Sequence, residues 1–533
     1  MKIRRQLALV FLLFPGYLMG QIPTVVDPTT QTPQQQQQHF LTFIGSYKPE
    51  NTATATAYYK AVDPTGSKQN FTAWLLNAGF ISNVNQWNST GPQTFTSTPG
   101  DYGYGKVNAD AHVIVLNAAD LGFVRNQYIR CLPSCKASNP KIYTYLENYP
   151  VAPFAQGGSN FSNLQGGSSY PTQAEAKAAI NSALSRPSGS LVTNPVTGQP
   201  CTLVAAQNPL KCSIARIADV AFEWAPPAAN PTSTTRFGQL FSYLFNQTNP
   251  SDPNTITETL NYPAGASVSA IDFVTGLSTT LGSSDPFAPN LDFFGAKYHP
   301  GVCFICHGGQ PQNLTSTGAY PRGGNVSGFR LLPLDNQNLL FTSDTGAEAT
   351  SRFSQESNVK EYNKDVLLTI PNYKERDDQG TLRFPHMREV ILGWYAGSPG
   401  DQTMSAPTQN TSFVPTGWTG FEDLYLHTVA PSCRTCHFNR ELSLDFGTVQ
   451  NFNQESDLLQ LALLPYCNSF TPGYKVDPNL RPMPLAHLTF QRLWEADSSM
   501  QTLPSGETLF QTAEKIAQHF GLGSVTGYCA TNP

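Results

Sequence analysis

Two pentads carry residues whose spacing permits covalent chemistry. One is Cys303, Cys306 and His307 within "GVCFICHGGQ"; the other is Cys433, Cys436 and His437 within "PSCRTCHFNR". Two thiols three positions apart on one helical turn can each form a thioether to a vinyl group of a haem. The histidine beside the second thiol then lies beneath the iron as its proximal ligand. Zinc would ask for further closely spaced ligands, and a dithiol redox pair has no need of a histidine there twice. The spacing predicts two covalently attached c-type haems (iron), held by Cys303, Cys306, Cys433 and Cys436, with His307 and His437 as metal ligands.

What lies on the far side of each iron separates an electron carrier from a catalyst. For the second haem, "NLRPMPLAHLTF" offers Met483 between two prolines. A thioether there raises the reduction potential and fills the sixth position. Core packing is the competing role for that methionine, and His487 is the competing ligand. For the first haem the order of candidates is Met387, His386, Met404 and His112, and the absence of any protein ligand stays open. His386 and Met387 are neighbours on an expected helix, so at most one of them points at the iron. His299 and His427 sit too close to the pentads to cap them and are expected beside a haem or at the surface.

No rival active-site signature accompanies the pentads: there is no His-Glu-x-x-His helix, no Gly-x-Ser-x-Gly elbow and no phosphate-binding glycine loop. "KERDDQG" reads as a solvated turn. In "DLGFVR", Asp120 and Arg125 are placed to form an ion pair that organises a loop.

The elements that must position the pentads begin well after the N-terminus. "MKIRRQLALVFLLFPGYLMG" has a basic start, an apolar run and a small residue at Gly20. It reads as a signal peptide over 1–20, the alternative being a short anchor. A Pro, Thr and Gln tether follows over 21–38. Residues 39–290 mix strand-like runs such as "AHVIVLNAADLGFV" and "KIYTYLENY" with short helical patterns, which suggests a haem-free α+β domain. After 291 the texture becomes helical, in "SRFSQESNVKEYNKDVLLTI", "LRFPHMREVILGWYAG" and "SGETLFQTAEKIAQHFGL". The expected architecture is multidomain: the α+β domain, then mostly α-helical cytochrome c-like haem domains over 291–410 and 411–533.

Composition sets the compartment and the partners. Basic residues number 32 against 37 acidic, and losing the three basic residues of the leader takes the net charge from -5 to -8. With no basic run, nucleic acid is not expected as a partner. Charged residues are 13% of the chain, about half the usual share, so polar uncharged surfaces and loops are expected. Outside the pentads stand Cys131, Cys135, Cys201, Cys212, Cys467 and Cys529. An even number in an exported chain suggests disulfides. Chain order favours Cys131–Cys135, Cys201–Cys212 and Cys467–Cys529, with buried thiols as the alternative. A periplasmic or secreted location follows, without stable membrane insertion after leader cleavage.

The arrangement resembles secreted two-haem c-type cytochromes, in which a haem-free N-terminal region precedes two cytochrome c-like segments. The matching features are "CFICHGG", "GFRLLPLDNQNLLF", "GWYAG", "SCRTCH" and the upstream "NAADLGFVR". The resemblance implies haem binding and electron transfer with a redox partner protein or a small electron carrier. A dihaem peroxidase or oxygenase-type oxidoreductase with an open first haem is the alternative.

Overall fold

The computed structural model of the chain describes residues 51–83, 107–118, 120, 122–149, 173–185, 218–247, 256–260, 299–309, 312–326, 328–376, 382–439, 445–455, 489 and 509–524. The expected leader, the 21–38 tether, Met483, His487, Cys201, Cys212, Cys467 and Cys529 lie outside those residues. Two short helices come first, α1 Thr52–Val62 and α2 Phe71–Asn77. Each begins where an asparagine carboxamide, Asn51 or Asn70, accepts a hydrogen bond from an otherwise unpaired N–H of the first turn.

Six strands follow: β1 Ala111–Asn117, β2 Val124–Leu132, β3 Lys141–Tyr149, β4 Ala218–Ala225, β5 Phe237–Gln247 and β6 Ile256–Leu260, with α3 Gln173–Ser185 between β3 and β4. They are rich in β-branched and aromatic residues, which suit a pleated surface packed on both sides. They form an antiparallel meander, and a two-residue strand, β7 Leu339–Leu340, joins its β1 edge. The helices used below are α4 Gly301–His307 ahead of β7, then α5 Arg352–Leu367, α6 His386–Trp394, α7 Arg434–His437, α8 Val449–Gln454 and α9 Leu509–His519; shorter helical turns lie among them. Among the described residues no helix is long and apolar enough to cross a membrane.

Directly paired residues share a face of a sheet, and successive residues alternate. Ile129, Thr144 and Phe222 pair in a row, so Arg125, Gln127 and Leu146 share their face. Onto it pack α5, through a 3.0 Å hydrogen bond between Tyr362 and Thr144, and the ring of His307, stacked on Phe222 at 4.6 Å. The other face carries His112, Tyr128 and Tyr145 in a row. Tyr145 packs there against Phe71 of α2 and against Phe80. Further along, Ile114, Leu116, Val124 and Tyr149 bury Ala176, Ile180 and Ala183 of α3.

The expected mostly α-helical haem domains are therefore corrected: a large antiparallel sheet dominates, and the pentads sit on short helices packed beside it. Helices do form after 291, as α5 and α6 show, but a helical pattern reports only that one side of the helix is to be buried. It does not say what covers that side. For α5 the sheet covers it, along a β1 edge that would otherwise be open. β7 pairs only with Leu116 and Asn117. At Ile114 the carboxamide of Gln355 takes over, accepting from the N–H at 2.7 Å and donating to the carbonyl at 2.9 Å. A helix side chain thus completes the ladder that a longer β7 would have made.

Candidate functional site

The first pentad is the C-terminal part of α4, which brings Cys303, Cys306 and His307 onto consecutive turns. The helix stops at Gly308, whose φ of 83° is the left-handed conformation that glycine adopts without strain. The His307 Nδ1 lies 2.8 Å from the backbone carbonyl of Arg330, to which it donates. A proton fixed on Nδ1 leaves Nε2 with its lone pair, the tautomer an iron ligand needs. The rings of Phe222 and Phe329 lie at 4.6 and 5.2 Å from that of His307 and hold its plane. Burial pushes this imidazole down to about 4, with the Arg330 carbonyl opposing and the nearby Arg125 adding to the fall. It is neutral at pH 7, as coordination requires.

The second pentad lies on α7, with Cys433 as the cap residue and His437 at its end. The His437 ring is stacked nearly flat on Phe446, at 4.1 Å and 3°. Between the two cysteines, Arg434 is fully buried. Its guanidinium donates to both oxygens of Asp335 at 2.7 and 2.8 Å, to the Tyr425 hydroxyl and to Gln337, and it lies over the Trp394 ring at 5.0 Å. A cation this deep is tolerated when its charge is matched and its nitrogens find acceptors, and here Asp335 supplies the charge and every guanidinium nitrogen has an acceptor. The next residue, Thr435, receives a 2.9 Å hydrogen bond from Asn338.

One loop therefore holds both pentads. Arg330 orients His307, Asp335 and Asn338 fix the turn between Cys433 and Cys436, and Leu339–Leu340 anchor the loop to the sheet. The helices α4 and α7 also touch directly. A Cβ on Gly308 would fall 2.0 Å from the carbonyl oxygen of Asn439 and 2.8 Å from that of Gly328. Only a residue without a side chain permits this approach.

The donor set at each pentad fits a c-type haem: two sulfurs a helical turn apart beside a histidine that is tautomerically fixed at the first pentad and ring-stacked at both. The cavity between His307 and the sheet holds about 60 Å³, space for a few waters. Donor chemistry, rather than a preformed slot, carries the fit. Arg125, Gln127, Thr144, Tyr362, Asn117 and Thr435 contribute to its polar wall, and among its described lining residues there is no methionine, cysteine or second histidine.

The candidates for the far side of the first iron are dispersed. Met387 is buried in the core and lines a separate cavity with Arg330, His386, Phe438, Asn439 and Asp445. His386 lies 3.4 Å from the Asp445 carboxylate, and Met404 packs at the margin of the core. His112 is on the sheet face opposite Gln127 and Arg125, stacked on Tyr128 at 4.0 Å. His299 is buried against Ser242, and His427 bonds to Asp423. Asp120 and Arg125 do form an ion pair.

Residues missed by sequence reasoning are Phe222, Phe329 and Phe446, which hold the imidazoles, and Arg330, Asp335 and Asn338 of the clamping loop. The segment "GFRLLPLDNQNLLF" is visible as a feature, but its partners are scattered: His307 lies 23 positions before Arg330, Arg434 and Thr435 about a hundred positions on, and Asn117 in another strand. A second cluster joins Asp110, Cys131, Cys135 and Asp365, whose side-chain donor atoms lie within 4.8 Å of one another. Cys131 and Cys135 are bonded as a disulfide, and a disulfide supplies no thiolate to a metal. Compared with known proteins, the chain matches no family model, no curated protein and no solved structure.

Proposed function

We propose that this chain is an exported dihaem c-type cytochrome that carries electrons between its two centres and a redox partner. The observation that supports this best is the direct contact of α4 and α7, closed by Gly308 against Asn439. It sets the two pentads side by side on one clamping loop, an arrangement suited to exchange between the groups they would hold. Cys303 and Cys306 would hold one haem with His307 on the iron, and Cys433 and Cys436 the other with His437. Bound there, each haem supplies a one-electron couple. The protein's part is to fix the imidazoles: Arg330 holds the His307 proton on Nδ1, and the aromatic rings of Phe222, Phe329 and Phe446 prevent rotation. The leader-like N-terminus supports a periplasmic or secreted location. The partner would be a redox protein or a small electron carrier.

A second reading, peroxidase- or oxygenase-type chemistry at the first centre, has one observation in its favour. The cavity beside His307 has Arg125, Gln127 and Tyr362 in its wall, and no methionine, cysteine or second histidine among its described lining residues. A guanidinium in such a wall can stabilise developing negative charge on a bound oxidant. Electron paramagnetic resonance of the ferric protein separates the readings. Electron carriage predicts two low-spin signals that ignore cyanide and peroxide. A high-spin signal converted by cyanide would overturn simple carriage and favour the second reading.

A further inference from the structure

We propose that Cys131–Cys135 is a redox-active disulfide that exchanges with a dithiol partner, and that Asp365 moves the proton at the Cys135 sulfur. The bridge spans four positions, a short loop from which a structural staple gains little. It lies at the wall of a cavity of about 1450 Å³, which Asp110, Arg130, Lys364 and Asp365 also line. Cys131 is buried, whereas Cys135 is half-buried and is the sulfur a partner can reach.

The Asp365 carboxyl lies 2.9 Å from the Cys135 sulfur, and Asp110 lies 3.6 Å from the same atom. Asp365 is wholly buried, and among the described residues its other oxygen has no hydrogen-bond partner. An ionised carboxylate so placed is costly, so in the disulfide form the proton resides on Asp365 and its O–H points to sulfur. Burial pushes this acid up to about 8; Asp110 and Glu361 add to the rise and Lys364 opposes it. Asp110 is itself raised by burial, with Arg130 opposing. An ordinary thiol titrates near 8.5, so the proton passes between Asp365 and a Cys135 thiolate at little cost.

The exchange balances as follows. A partner thiolate attacks the Cys135 sulfur, the Cys131–Cys135 bond breaks, and its electron pair leaves on Cys131, which takes a proton from solvent. The partner's second thiol then attacks its own sulfur in the mixed disulfide. Cys135 departs as a thiolate and receives the Asp365 proton, while the proton of the second thiol restores Asp365. One disulfide is reduced, one partner dithiol is oxidised, and two electrons move.

The test uses purified full-length protein with dithiothreitol as the dithiol. Alkylation of Cys131 and Cys135, read by mass spectrometry from pH 6 to 9, gives the rate per probe thiolate. Reduction in the folded state with an inflection near pH 8 is expected. Asp365→Asn should slow the release of Cys135 from the mixed disulfide, read as the delay of Cys135 alkylation behind that of Cys131, by about tenfold or more at pH 7 and abolish its inflection, while Asp110→Asn should move the inflection to lower pH. A pair that stays protected until the chain is denatured would overturn the proposal. So would an Asp365→Asn profile equal to that of the wild type. Should Asp365→Asn not fold, the wild-type profile decides, since a rate with no inflection between pH 6 and 9 removes the acid.

Discussion

A histidine can serve an iron only if one ring nitrogen holds the proton and the other is aimed, and at His307 a backbone carbonyl does the first. The same side chain elsewhere is held for other reasons. His112 is buried between strands and stacked on Tyr128, and burial pushes it down to about 3, with Asn126 opposing the fall. Its folded pKa lies below the unfolded value of about 6.5, so between pH 6.5 and 3 the unfolded chain binds a proton that the folded chain refuses. Stability contributed by the neutral ring is complete above pH 6.5 and is lost as pH falls through that window. His112→Gln should therefore reduce the slope of unfolding free energy against pH, by about 1.4 kcal/mol per unit between pH 6 and 4. Urea titrations at three pH values measure it, and parallel slopes for variant and wild type would refute it.

At the scale of elements, the loop before β7 and the contact of α4 with α7 decide whether the two pentads stay together. Arg434→Ala leaves the Asp335 carboxylate buried without its cation, since the two groups are 0% and 2% exposed. The expected loss is about 3–5 kcal/mol, the range for breaking a buried pair, read from the urea midpoint. A loss below about 1 kcal/mol, typical of an exposed pair, would show that the guanidinium does not anchor α7. Gly308→Ala tests the other contact. It forces a side chain into a left-handed residue and drives its Cβ against the Asn439 carbonyl. About 1–3 kcal/mol of backbone strain is expected, with faster amide hydrogen exchange in both α4 and α7. Exchange that quickened in α4 alone would mean the helices are independent.

For the whole molecule, the pentads were legible because thioether attachment needs its donors adjacent in sequence. The strands were legible as runs such as "KIYTYLENY", which became β3. Their assembly was not: the face that β3 and β4 present to His307 depends on pairings across long gaps, which no local pattern carries. The helical segments misled for a related reason. α5 does form, but its buried side is largely polar and Phe353 is exposed, and Tyr362 and Gln355 point it at the sheet rather than at a helical haem domain. Asp335 and Asn338 looked like ordinary loop residues, because their meaning lies in Arg434 and Thr435. Haem attachment at both pentads is measured by intact mass together with an alkaline pyridine spectrum. The protein should be produced through an export route with haem attachment. The expected mass is that of the polypeptide plus two haems, with Cys303, Cys306, Cys433 and Cys436 all resistant to alkylation. The mass of the bare chain with all four thiols alkylated would contradict it.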